Sequence, residues 1–159
     1  MLTLIEHQRA MRDLIRRDLV AGDPYIIAAA KCVGLEVTRD TIRNWHRFRL
    51  DRNCRLTSAI LRQRGLYARV FTAVEESAGS PYIEQLSDDF FDAAIALGDP
   101  LITSVASLER ALNGSDETLV EWPCDPYPVL AALLQGEEIS DFPAEPHTTI
   151  VADGSFRLT

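Results

Sequence analysis

The sequence predicts an α+β fold: a mostly helical part over residues 1–114, followed by a strand, helix and hairpin module over 115–159. Three observations carry this. Apolar residues recur at three- and four-residue intervals from Leu4 to Leu112; after Gly114 the pattern changes to the β-branched and aromatic run Thr118-Leu-Val-Glu-Trp122; and Asp153-Gly154 separates two short runs that alternate, the mark of a two-residue type I′ hairpin. With 159 residues, 47% of them hydrophobic, the chain is long enough for one compact domain, or for a helical domain with a small satellite.

Taken in order, Thr3 and Glu6 have the spacing of a capping box, and Leu4, Ile5, Met11, Leu14, Ile15 and Leu19 make one face of a first helix reaching about Val20. Asp23-Pro24 supplies an N-cap and a first-turn proline for a second helix that Gly34 closes. A link over Leu35 to Val37 is expected next, then a third helix capped by Thr38 or Asp40, with Ile42, Trp45 and Phe48 or Arg49 on one stripe. From Asn53 a kinked or separate helix runs through Leu56, Ile60 and Leu61 to Gly65.

Leu66 to Val74 reads as a buried helix, broken at Glu75 to Pro81. A short helix should start at Pro81-Tyr82, and Ser87-Asp-Asp should cap another that ends at Gly98. The last helix of this part covers Leu101 to Leu112 and stops at Asn113-Gly114, two residues that tolerate left-handed backbone angles. Thr118 to Trp122 is then a strand, Asp125-Pro126 opens a helix closed by Gly136, and an acidic loop leads to the hairpin from His147 to Thr159. In that hairpin, Val151 should face Phe156 and Thr149 face Leu158 on one side, with Ile150 and Arg157 on the other.

Charge is divided unevenly. Residues 1–72 carry 14 Lys+Arg against 7 Asp+Glu, whereas residues 73–159 carry 2 against 17, so an overall charge of -8 hides a basic half and a strongly acidic one. Nine Arg fall between positions 39 and 69. They suit a solvated helix face, a phosphate-binding footprint, or a docking face for an acidic protein surface.

Several function classes lose support. There is no Gly-rich phosphate loop, no Gly-x-Ser-x-Gly elbow and no His-Glu-x-x-His. Cys32, Cys54 and Cys124 and the three His are scattered, which argues against a disulfide framework or an intrinsic metal site. The first residues lack a basic, apolar signal, and no window approaches a membrane span, so a cytoplasmic protein without membrane partners is expected. A three-stranded sheet backed by one helix leaves an edge of unpaired backbone groups, a template for an extended peptide, and the acidic surroundings favour a basic one.

Two groups of residues carry a resemblance. Leu50-Asp-Arg-Asn53 with the helices that follow and Ser87-Asp-Asp-Phe-Phe-Asp-Ala-Ala94, together with Trp122-Pro-Cys-Asp-Pro-Tyr-Pro-Val-Leu-Ala-Ala-Leu-Leu-Gln-Gly-Glu137 and the hairpin, resemble the family of partner subunits related to the methanobactin biosynthesis protein MbnC. Asp51 departs from that family, which usually has an aromatic before the Arg-Asn pair. The resemblance implies a non-catalytic subunit that pairs with a multinuclear non-heme iron oxygenase of barrel fold (MbnB-like). It also implies a sheet that is a reduced form of the peptide-binding winged-helix element of pathways for ribosomally made, modified peptides.

In such a pair the cysteines of a precursor (MbnA-like) become oxazolone and thioamide groups that chelate copper. The iron belongs to the partner, and this chain needs no cofactor. The expected peptide-binding residues are Thr118, Leu119, Val120, Glu121 and Trp122, or Thr148, Thr149, Ile150 and Val151. The expected partner-interface residues are Arg43, Arg47, Arg52 and Asn53. The alternative is a DNA-binding regulator using the Arg-rich helices, whereas the preferred reading involves no nucleic acid.

Overall fold

A computed structural model describes residues 2–17, 20–77, 83–140 and 142–158. Among them are eight helices and a three-stranded antiparallel sheet near the C-terminus, the α+β class expected: α1 Leu4–Arg17, α2 Pro24–Ala30, α3 Gly34–Asn53, α4 Arg55–Gln63, α5 Tyr67–Ser77, α6 Ile83–Ile95, α7 Pro100–Asn113, β1 Thr118–Trp122, α8 Pro126–Gln135, β2 His147–Ala152 and β3 Ser155–Leu158. The chain forms two compact units, Met1–Phe48 and Arg49–Thr159. The sequence-based boundary at 114/115 lies inside the second unit, because the strands share one core with α4 to α7.

In the first unit the capping box forms as expected. The Thr3 amide donates to Glu6 Oε2 at 2.7 Å, and Asp23 caps α2 by accepting from the Tyr25 amide at 2.9 Å. Leu14 and Ile26 are fully buried. Arg39 donates to the Leu14 carbonyl at 2.6 Å and the Ile15 carbonyl at 3.2 Å, satisfying acceptors that the last turn of α1 leaves open. The expected link at 35–37 is instead the first turn of α3. Thr38 caps nothing: its hydroxyl donates back to the Gly34 carbonyl at 3.0 Å, as Thr41 does to Val37 at 2.7 Å, so both serve from the helix interior.

In the second unit, the two helices expected around Ser87 are one. Leu86, Phe90, Phe91 and Ala94 form a continuous buried stripe through the Ser-Asp-Asp signal, and burying that stripe outweighs a local capping preference. Likewise α5 extends past Val74 to Ser77, while the predicted starting residues Pro81 and Tyr82 lie outside the described ones. Asp99 caps α7 by accepting from the Leu101 and Ile102 amides at 2.9 and 3.0 Å. At the other end Gly114 is extended, with φ -93°, and leads straight toward β1 without the left-handed turn expected.

Gly136 is the glycine whose freedom is used most plainly. It closes α8 at φ +73°, with its neighbour's amide bonded back to the Ala132 carbonyl at 2.8 Å. Nothing lies within 4 Å of where a Cβ would sit, so Gly136→Ala is expected to cost only the backbone strain, about 1–2 kcal/mol. A matching drop in the denaturant midpoint, with unchanged far-UV dichroism, would show it.

The hairpin has the expected register. Asp153 at φ +50° and Gly154 at φ +69° give both positive angles a type I′ turn needs, and Val151 pairs with Phe156, Thr149 with Leu158 and Ile150 with Arg157. Strand order is β1-β2-β3, so β2 lies in the middle. Val120, Trp122, Thr149 and Val151 turn toward the core on α7, and Trp122 Nε1 donates to Thr149 Oγ1 at 3.0 Å.

Candidate functional site: the outer edge of the sheet

Of the two segments expected to take a peptide, only one lies at an edge. Thr148, Thr149, Ile150 and Val151 belong to β2, which is paired to β1 on one side and β3 on the other, so no strand can be added there. Three strands were legible, but their order depends on a long-range pairing that no local pattern encodes. The open edges are β1 and β3.

Which backbone groups β1 offers follows from the hairpin. A two-residue I′ loop closes on a hydrogen-bonded pair, here Ala152 with Ser155. Alternation along β2 then aims the N–H and C=O of Val151, Thr149 and His147 at β1, where Thr118, Val120 and Trp122 receive them. The backbone groups of Leu119 and Glu121 therefore point away from the sheet. One side-chain contact agrees with this: the Ser104 hydroxyl of α7 lies 2.6 Å from the Glu121 carbonyl oxygen and 2.8 Å from that of Pro100. Ser104 has a single proton to donate, so it caps one end of the edge without filling it, and a carbonyl can accept a second bond.

Around this edge the surface is acidic and partly apolar. Asp116, Glu117 and Glu121 are exposed, and the Leu119 side chain is 65% exposed on the outer face of the sheet. At the Trp122 end a cleft of about 520 Å³ opens among Pro100, Thr103, Pro123, Pro146 and His147. Ser104 was missed in the sequence because a serine inside an apolar helix gives no sign of the strand it will meet.

The Arg-rich segment is more neutralised than its composition suggests. Arg43 pairs with Asp40 at 3.5 Å, Arg62 meets Asp51 at 2.5 Å and lies over the Tyr67 ring, and Arg55 donates to the Leu134 carbonyl. Arg43 and Arg47 are exposed on α3 in the first unit, whereas Arg52 and Asn53 fall in the second. These last two line a cleft of about 660 Å³ with Leu56, Phe91 and Arg110. The four expected interface residues are thus not one patch within one unit.

Beside that second cleft is a carboxylate that the sequence reading passed over. Glu109 is buried, and its two oxygens accept the Leu56 and Thr57 amides, both at 2.8 Å. It does for α4 what Cys54, at the N-cap position with no side-chain cap bond, does not. Its place on the buried stripe with Ile102, Val105 and Leu108 was the available signal. Burial raises its carboxyl pKa above the ordinary value, while the Thr57 and Leu56 amides work against that rise.

Two of the three thiols, Cys54 and Cys124, are buried, whereas Cys32 is exposed. Burial pushes Cys54 up to about 12 and also raises Cys124, the thiol closest to β1 in sequence. Among the described residues no group of three or more His, Cys, Asp or Glu is placed to hold a metal ion, and no helix is long and apolar enough to cross a membrane. No family model, no curated protein and no solved structure matches the chain.

Proposed function

We propose that this is a non-catalytic, cytoplasmic partner subunit that holds the leader of a ribosomally made precursor peptide for an iron-dependent, MbnB-like oxygenase. On this reading the leader adds to β1 as a fourth strand, and the enzyme converts the precursor's cysteines by methanobactin-type chemistry. The observation that carries the reading is the outer edge of β1: outward backbone groups on Leu119 and Glu121, an exposed apolar side chain, and acidic neighbours suited to a basic peptide. The motifs around Leu50–Asn53 and Trp122–Glu137 supply the oxygenase and the precursor class through their resemblance. Iron and oxidative chemistry reside in the partner.

The edge geometry specifies the test. Proline at Leu119 removes an outward N–H and leaves the β1–β2 ladder intact, which is where a strand tolerates proline. Leu119→Pro should therefore fold normally and lose capture of a basic leader by tenfold or more, from the missing bond and the ring's obstruction of the incoming strand. Capture would be measured by co-elution and titration with the full chain. Unchanged capture by a folded variant would exclude β1 as the docking edge. Failure of the protein to co-purify with a co-expressed iron oxygenase would remove the partner-subunit reading.

A further inference from the structure

The two exposed rows of the sheet impose a sequence pattern on whatever strand joins it. Directly opposed residues in an antiparallel sheet share a face. Leu119 stands opposite Ile150, which stands opposite Arg157, so these three form one row on the outer face; Glu121 stands opposite Thr148 and begins the next. Leu119, Glu121 and Arg157 are exposed, and Ile150 and Thr148 are half-buried. This face is thus open to solvent, while the opposite one, through Val120, Trp122 and Val151, is closed by the core.

Resting on the β1 reading above, we infer that the protein selects its peptide by an alternating code: a Lys or Arg, any residue, then a large apolar residue, in that order along the peptide. Both pairings of this sheet are antiparallel, and a fourth strand that continues the pattern runs opposite to β1. Its residue opposite Glu121 comes first and its residue opposite Leu119 two positions later. Because the backbone groups of Leu119 and Glu121 point outward, these two peptide residues are the ones that exchange backbone bonds with β1. Their side chains lie on the outer face, the first beside the Glu121 carboxylate and the second beside the Leu119 side chain.

Asp116 and Glu117 extend the negative surface past the Thr118 end of β1, so further cations on the C-terminal side of the apolar residue add general attraction. The middle residue, opposite Val120, turns toward the α7 side, where the exposed row makes no demand on it.

The test uses the full chain and synthetic, end-capped ten-residue peptides, with binding read by fluorescence anisotropy at low salt. Peptides of the pattern Lys-x-Leu should bind about tenfold more tightly than Asp-x-Leu or Lys-x-Asp versions, the scale expected when a cross-strand attraction becomes a repulsion. Glu121→Arg should invert the first preference toward Asp or Glu and leave the second unchanged, while Leu119→Lys should reverse the second toward Asp and leave the first. Binding with no such preference, or a preference untouched by either variant, would overturn the code and leave strand addition standing. If no peptide binds, or if Leu119→Pro binds as tightly as the unaltered chain, the code falls together with the β1 reading.

Discussion

Replacing Trp122 with alanine is expected to destabilise the second unit by about 4 kcal/mol, near the top of the range for a large buried aromatic. The indole is 2% exposed and belongs to the core that α7 shares with β1 and β2, so its removal leaves a cavity which the Pro123 turn and the β1–β2 ladder cannot collapse to fill. It also deletes the donor to Thr149 Oγ1, a hydroxyl with no solvent to turn to. Trp122→Phe separates the two effects: most of the packing stays, and the lost hydrogen bond alone should cost about 1–2 kcal/mol. Guanidinium unfolding followed by far-UV dichroism gives both numbers. If the alanine variant lost less than the phenylalanine variant, Trp122 could not be the element that fastens the sheet to α7.

This residue also shows where the sequence was legible and where it was not. The run from Thr118 to Trp122 alternates cleanly, and the Asp153-Gly154 turn fixed every partner in the β2–β3 hairpin, because a two-residue loop leaves no freedom of register. Nothing local placed β2 between the other two strands. That order depends on the pairing of Thr118–Trp122 with His147–Val151 across α8 and a long loop. The consequence for the site was direct, since one of the two expected peptide-binding segments, Thr148 to Val151, proved to be internal.

The helical misreadings have a related cause. Thr38 and Ser87 carry good capping side chains, yet both sit inside helices. For Ser87 the reason is the apolar stripe running through it, and a stripe of Leu86, Phe90, Phe91 and Ala94 buries far more surface than one cap contributes. Capping signals mark possible helix starts, and burial decides which of them are used.

Glu109 is the clearest case of a residue whose role only tertiary structure reveals, and it makes the second large prediction. Glu109→Ala should cost about 3 kcal/mol, because the Leu56 and Thr57 amides at the start of α4 lose both of their side-chain acceptors, the Thr57 amide in a buried place. Its effect also depends on pH. Burial raises the folded-state pKa above the ordinary 4.5, so the folded protein holds this proton more tightly than the unfolded chain does. The resulting contribution to stability is complete below about pH 4.5 and is lost as pH rises through the raised folded value. Glu109→Gln cannot titrate yet keeps one acceptor for the α4 amides. Unfolding free energies measured from pH 4 to 8 should therefore fall for the unaltered protein relative to this variant, then run parallel to it once the carboxyl has ionised in both states. Parallel curves across the whole range would mean that Glu109 is ionised in the fold as readily as in the unfolded chain, with the two amides at the start of α4 fully offsetting its burial.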